Sequence, residues 1–133
     1  MKKRVYISGK ISGLPREQYL KIFHKAEMEL GKLGYWVVNP CRLLPCRRPW
    51  IYTTMERLFG SEGAYRLTLF YDIWHLAKCD LIYKVPGWKQ SRGANVEGAF
   101  AYHSQIWQIP QKQRDKIDRR LAKYIDKLKS KEE

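Results

Sequence analysis

The sequence predicts an α/β protein with a parallel, Rossmann-like (flavodoxin-like) sheet flanked by helices, plus a C-terminal basic amphipathic helix. Two observations lead to this fold class. Short β-branched and aromatic runs alternate with longer segments whose apolar residues recur at helical spacing. This alternation is typical of βαβ units, whose strands lie parallel. The last segment, residues 111–133, joins an apolar stripe to many lysines and arginines.

The first βαβ unit occupies the first 38 residues. Arg4–Ser8 is a β-branched and aromatic run that ends at a glycine, and residues 35–38 form a similar run that an Asn-Pro pair ends. A helix is expected between them, because apolar residues recur there on one face until Gly34. That face consists of Tyr19, Ile22, Phe23, Ala26, Leu30 and Leu33.

The segment 41–62 follows no clear period. Pro45, Pro49 and Gly60 interrupt it together with the cluster Arg42, Arg47 and Arg48, although residues 51–59 are compatible with a short helix. We interpret it as a long basic excursion of the kind that serves as a lid or binding loop.

A second βαβ unit follows, and it completes a domain of residues 1–110. Helices are expected at 64–78 and 93–103, with strands at 81–85 and 106–109, so four strands are recognisable. Trp36 and Trp74 are expected in the core. The added helix, residues 111–133, carries the stripe Ile117, Leu121, Ile125 and Leu128.

The charge of the chain favours anionic partners. Twenty-six Lys and Arg face 13 Asp and Glu, a formal net charge of +13, and the tail 111–133 accounts for +4 of it (nine basic minus five acidic residues). The remaining +9 belongs to the body of the domain. Either a nucleic-acid surface or a small-phosphate site fits this excess.

Several classes of protein are disfavoured. A hydrophobic content of 44% argues against a disordered chain. The three cysteines have no paired zinc or redox spacing, and the three histidines lie far from them, so no metal site is expected. The enzyme hypotheses given below require no organic cofactor either. No apolar segment has the length of a membrane helix or the form of a signal peptide, so a cytoplasmic location without membrane contact is expected.

Two loops carry the candidate binding residues. In open parallel sheets, ligands bind where the carboxyl ends of strands lead into helices. The first loop follows the first strand and offers glycines, hydroxyls and a lysine that suit an anion: Ser8, Gly9, Lys10, Ile11, Ser12 and Gly13. The second follows the third strand and supplies Trp88, Ser91, Arg92, Gly93 and Ala94. It ends at Glu97, expected in the first turn of a helix, where a carboxylate complements the helix dipole.

Three motifs in this order resemble the nucleoside 2-deoxyribosyltransferase-like superfamily. They are Y-I-S-G at 6–9, D-I-W-H-L-A-K-C-D beginning at Asp72, and S-R-G-A-N-V-E at 91–97. The similarity is greatest to a phage and bacterial branch with the pattern Y-I-S-G-x-I-S-G, P-G-W and S-x-G-A-x-x-E. It spans residues 4 to about 110. The sheet of that family has five strands, so four or five are expected here.

The resemblance implies an enzyme and assigns roles to three residues. Glu97 matches the nucleophile that attacks the anomeric carbon of a 2-deoxyribose. Asp72 matches a residue that assists proton transfer at the leaving base or holds the sugar, and Tyr6 is implied to position the nucleophile. A carboxylate suits this chemistry because it stabilises an oxocarbenium-like centre and then bonds to it.

Ser91 bears on the substrate. The nucleoside transferases of this superfamily tend to have an Asp six residues before the nucleophile, whereas the hydrolases of deoxynucleoside 5′-monophosphates have a Ser. A hydroxyl beside Arg92 and a helix N-terminus attracts phosphate, which an Asp repels. The chain departs from those hydrolases at Lys10 and Ser12, where they tend to have Ser and Arg.

Four functions follow as hypotheses. The first is an N-glycosidase acting on 2′-deoxynucleoside 5′-monophosphates, and the second a nucleoside 2-deoxyribosyltransferase. The third is a non-catalytic nucleotide sensor or sequestering module. The fourth is a nucleic-acid-binding protein that uses the tail and the cluster Arg42, Arg47 and Arg48. A homodimer or higher homo-oligomer is also expected, because relatives complete their sites across an interface and the tail's stripe requires cover, unless the tail folds back on its own subunit.

Overall fold

A computed structural model describes residues 2–11, 13–43 and 46–132. They form four strands and four α-helices in chain order, with short 3₁₀ turns at Pro40–Arg42 and Trp88–Gln90. The bounds are β1 Arg4–Ser8, α1 Arg16–Lys32, β2 Trp36–Val38, α2 Pro49–Leu76, β3 Leu81–Lys84, α3 Arg92–His103, β4 Trp107–Gln108 and α4 Gln111–Glu132. The predicted elements are therefore present, with shorter second, third and fourth strands than expected.

All four strands are parallel, and their order is β2-β1-β3-β4. Val5 of β1 lies between Val37 of β2 and Leu81 of β3. The chain leaves β1 in one direction across the sheet, to β2, and leaves β3 in the other, to β4. This reversal makes the gap between the carboxyl ends of β1 and β3 a topological switch point, where open α/β sheets bind ligands. The α/β class with a parallel Rossmann-like sheet is confirmed.

The two faces of the sheet have separate cores. One core packs Val5, Ile7 and Tyr83 against α1 and α4. Ile117 and Leu121 of α4 are fully buried in it, so the apolar stripe of the tail folds back on its own subunit and does not require a partner. The other core is smaller and packs Tyr6 and Ile82 against Leu76 of α2, Ala101 of α3, and the residues Cys79 and Ile106 of the connections that follow these helices.

The interpretation of 41–62 as a loop excursion was wrong from Pro49 onward. α2 begins at that proline and continues for 28 residues, to Leu76, and it includes the short helix considered at 51–59 and most of the helix expected at 64–78. Its two halves meet at Gly60, which has non-helical backbone angles (φ 77°, ψ 169°). The proline and glycine that suggested a loop occupy an N-terminal position and a kink, which helices accept.

Two expected core residues are on the surface. The exposed fraction is 60% for Trp36 and 54% for Trp74. The Arg4 guanidinium lies 5.5 Å from the ring centroid of Trp36, and the Lys78 ammonium lies 4.0 Å from that of Trp74. Both indoles are therefore partly covered by cations rather than by the core.

Candidate functional site

Glu97 forms the floor of the site, although it does not lie in the first turn of its helix. α3 begins at Arg92, so Glu97 is one turn further along and faces the sheet, where it is 6% exposed. The helix dipole acts mainly within the first turn. Its position therefore gives Glu97 little stabilisation as an end charge.

Two hydroxyls of β1 hold the buried carboxylate. Tyr6 donates a hydrogen bond of 2.5 Å to Oε2, and Ser8 donates one of 2.8 Å to Oε1. The two side chains share a face of the sheet because residues i and i+2 of a strand point the same way. The motif Y-I-S thus delivers two donors, one to each oxygen of Glu97.

Protonation at the site is shifted toward neutral forms. Burial raises the pKa of Glu97 to about 7, although the hydrogen bonds from Tyr6 and Ser8 lower it. Burial, with the charge of Glu97, raises the pKa of Asp72 to about 8. Burial and the Glu97 charge also hold the pKa of Tyr6 well above its ordinary value, so this phenol stays a donor.

A cavity of about 470 Å³ opens above these groups, at the switch point of the sheet. Nine residues predicted for the site line it: Tyr6, Gly9, Ile11, Gly13, Asp72, Ser91, Gly93, Ala94 and Glu97. The two carboxyls and the two predicted loops therefore converge on one space. Its volume suits a small organic ligand.

Four other predicted residues are outside the lining of this cavity. Ser8 is fully buried behind Glu97, Lys10 belongs to the first loop but does not line the cavity, and Trp88 lines a different cavity. Arg92 forms a 2.7 Å ion pair with Glu62, and its guanidinium lies 4.5 Å from the ring centroid of Tyr65. Ser12 is outside the described residues. The ligand-binding roles of these five stay predictions.

Ser91 has a structural role as well as a place in the cavity wall. It is the N-cap of α3, and its Oγ accepts a hydrogen bond of 3.2 Å from the backbone N–H of Ala94. An N-cap of this kind stabilises a helix by about 1 kcal/mol. Any substitution at Ser91 must therefore be judged for its capping as well as for its charge.

Arg16 and several other cavity residues were not anticipated from the sequence. Arg16, the first residue of α1, lines the cavity and donates a 2.9 Å hydrogen bond to the carbonyl of Cys46. A hydrogen bond from the Cys41 thiol lowers the pKa of Cys46 to about 7. The rest of this wall includes Tyr19, Tyr52, Tyr65 and Thr68. The one sequence signal for this wall was the position of Arg16, three residues after Gly13 of the first loop.

The described part of the chain shows neither a metal centre nor a membrane-spanning helix. Residues 2–11, 13–43 and 46–132 contain no group of three or more His, Cys, Asp or Glu side chains placed to hold a metal ion. None of the helices there is long and apolar enough to cross a membrane.

Residues 3–108 match the model of a protein family described as a domain of unknown function, DUF4406. The chain belongs to this family. The match includes all four strands and helices α1, α2 and α3, so the whole candidate site lies within the DUF4406 domain, and α4 follows it. No curated protein and no solved structure matches the chain.

Proposed function

We propose that this DUF4406 protein is an N-glycosidase that cleaves 2′-deoxynucleoside 5′-monophosphates into free base and deoxyribose 5-phosphate. The proposal rests mainly on Glu97, a buried carboxylate that accepts hydrogen bonds from two hydroxyls at the floor of a cavity. No cation lies at salt-bridge distance from it among the described residues. A carboxylate without a neutralising partner is suited to attack an electrophilic carbon.

The two carboxyls support complementary roles in such a reaction. Ionised Glu97 attacks the anomeric carbon, the C–N bond breaks, and the bonding electrons leave with the base. Asp72, whose raised pKa keeps a proton available near neutral pH, protonates the departing base. Water then adds to the anomeric carbon, its proton passes to the Asp72 carboxylate, and the bond between this carbon and Glu97 breaks, which releases deoxyribose 5-phosphate and restores both carboxyls. The hydrogen bond that the Tyr6 hydroxyl donates holds the attacking Glu97 carboxylate in place.

The rim of the cavity supports a phosphate as the ligand's anionic end. Ser91, Gly93 and Ala94 bring the N-terminus of α3 to the cavity, and helix N-termini attract anions. Arg16 adds a cation to the lining. Arg92, which the sequence suggested for this role, is engaged by Glu62, so Arg16 is the better candidate for charge pairing.

The test is incubation of the protein with a panel of deoxyribo- and ribonucleoside monophosphates and nucleosides, followed by chromatography for free base. Base release from deoxynucleoside monophosphates is the expected result. Exchange of bases between nucleosides would favour the transferase, and mononucleotide binding without release would favour the sensor or sequestering module. A protein that neither binds nor cleaves any member of the panel contradicts the proposal.

We also propose that the protein is a homo-oligomer, at least a dimer, which the resemblance implies. The supporting surface is an apolar stripe on α2: Leu67, Phe70 and Trp74 lie at helical spacing and are 44%, 73% and 54% exposed. Contiguous exposed apolar surface of this kind is typical of interfaces. Light scattering of the wild type should give at least a dimer, and Phe70→Glu should give a monomer. Trp36→Glu changes an exposed indole elsewhere and should leave the oligomer intact; a monomeric wild type contradicts the proposal.

A further inference from the structure

A second cavity of about 700 Å³ lies between the segment 84–90 and helix α4. It is separated from the candidate active site by the segment that begins at Gly87 and leads to Ser91, since residues of that segment line one cavity or the other. Four cations line it, and we call it the basic groove. They are Lys84, Lys89, Arg114 and Arg119.

The charge of the basic groove is not balanced by its own acidic residue. Asp118 is the one carboxylate in the lining, and its Oδ1 already accepts a 2.6 Å hydrogen bond from Tyr83. None of the four cations has a carboxylate at salt-bridge distance within the described ranges. Converging like charges repel one another, so an anion that enters the groove relieves this repulsion.

The fold places the Lys84 ammonium in the groove although partial burial disfavours its charged form. Its ammonium lies 4.1 Å from the ring centroid of Trp88, and its Nζ is 2.9 Å from the position that a Cβ on Gly98 would occupy. Because Gly98 has no side chain, this position of α3 leaves room for the Lys84 ammonium. Partial burial, together with Arg114, lowers the pKa of Lys84. An anion in the groove would favour its charged form.

We propose that the basic groove binds single-stranded nucleic acid, with phosphodiesters on the cations and a base stacked against Trp88. Four cations exceed what one phosphate monoester neutralises, and α4 continues the positive charge with nine Lys and Arg against four Asp and Glu over residues 111–132. An aromatic ring inside a positive groove is the combination that single-strand binding uses. In a duplex the base faces are already stacked on one another, which leaves the indole without a role.

The experiment measures fluorescence anisotropy of a labelled single-stranded oligonucleotide of about 12 nucleotides, a length within known site sizes. Lys89→Gln/Arg119→Gln removes two exposed groove cations and should weaken binding about tenfold or more. The slope of log affinity against log salt should fall by roughly 0.7 for each lost phosphate contact. Lys123→Gln/Lys127→Gln makes the same change in net charge on α4 outside the groove, and should weaken binding less than twofold.

Trp88→Ala tests stacking and should weaken binding at least about fivefold. Trp88→Phe keeps a ring and should bind nearly as well as the wild type, which separates stacking from a folding defect. Equal losses in the two double variants, tighter binding of a duplex of the same length, or equal binding of an abasic oligomer would each overturn the proposal. The readout is binding, so it is independent of whether Glu97 is catalytic.

Discussion

Among the residues whose burial is described, two glutamates are buried, one on each face of the sheet, and their surroundings are opposite in kind. Glu29 of α1 is 5% exposed and lies 3.0 Å from Arg120, 3.5 Å from Lys25 and 3.8 Å from Lys32. Glu97 of α3 is buried to the same degree, but its contacts are two neutral hydroxyls. The first carboxylate joins α1 to α4 by ion pairs. The second keeps its charge unpaired at the floor of a cavity.

The hydrophobic cores on the two faces of the sheet also differ. The α1/α4 face has the larger core, and α4 closes it. The α2/α3 face has a smaller core, so that α2 and the glycine loops enclose space instead of side chains. Stability is therefore concentrated on one side of the sheet and the candidate chemistry on the other. This division predicts which substitutions change unfolding and which change turnover.

The largest expected effect is that of Glu97→Gln. If Glu97 is the nucleophile, turnover should fall by about a thousandfold or more, while ligand binding persists. Burial raises the pKa of Glu97, so the folded state favours the protonated carboxyl, and the associated stability is lost as pH rises through about 7. At pH 8 the amide should therefore be at least as stable as the wild type. Base release and denaturant unfolding measure the two quantities.

Glu29→Gln is the matched control on the covered face. It loses the ion pair with Arg120, which should lower the free energy of unfolding by about 1–2 kcal/mol. The loss is no larger because the freed guanidinium is half exposed and becomes solvated. Turnover should be unchanged. A Glu97→Gln protein that releases base at close to the wild-type rate would remove the catalytic role of that residue.

Asp72→Asn comes next in expected size. Without a proton donor for the leaving base, turnover should fall by about a hundredfold or more. In the wild type the pKa values of about 7 for Glu97 and about 8 for Asp72 predict a narrow maximum of kcat/KM between them. As the carboxyls are coupled, these limits belong to the pair. Asp72→Asn should abolish the fall on the alkaline side; an unchanged profile would mean that another group supplies the proton.

Ser91→Asp should weaken monophosphate binding by about tenfold or more and leave nucleoside binding nearly unchanged, because it places a like charge near the phosphate. Asp is as good an N-cap as Ser, so α3 should stay intact. Ser91→Thr keeps both the hydroxyl and the cap and should bind both ligands normally. Titration calorimetry with a matched nucleoside and monophosphate measures the difference. Equal losses for both ligands would show that Ser91 does not face the phosphate.

The strands and helices were largely accessible from the sequence because their signals are local. Successive side chains of the strand Arg4–Ser8 point to opposite faces of the sheet, so Tyr6 and Ser8 point to the same face. The motif S-R-G-A-N-V-E then brings Glu97 to the same region through the β3–α3 connection. A motif of this kind encodes a site because its residues are held by adjacent strands.

Other features depend on packing between distant segments and had no local signal. Arg16 and Cys46 meet across 30 positions, and their contact follows from the path of the chain after β2. Trp36 and Trp74 have core-type side chains, yet their positions on an edge strand and on the outer part of α2 leave them exposed. Gly60 reads as a helix end but is a kink within α2.

The smallest expected effect compares two buried tyrosines, each of which donates to a carboxylate on its own face of the sheet. Tyr6 donates to Glu97 on the open face, and Tyr83 donates a 2.6 Å hydrogen bond to Asp118 on the covered face. Tyr6→Phe keeps the ring in its core but removes a donor that lowers the pKa of Glu97. Since one hydrogen bond contributes about 1 kcal/mol, the acid limb of kcat/KM should move to higher pH by roughly half to one pH unit. Tyr83→Phe should leave that limb in place and only lower the free energy of unfolding. If the acid limb moves equally in both variants, or in neither, the Tyr6 hydroxyl does not control the ionisation of Glu97 and the prediction is wrong.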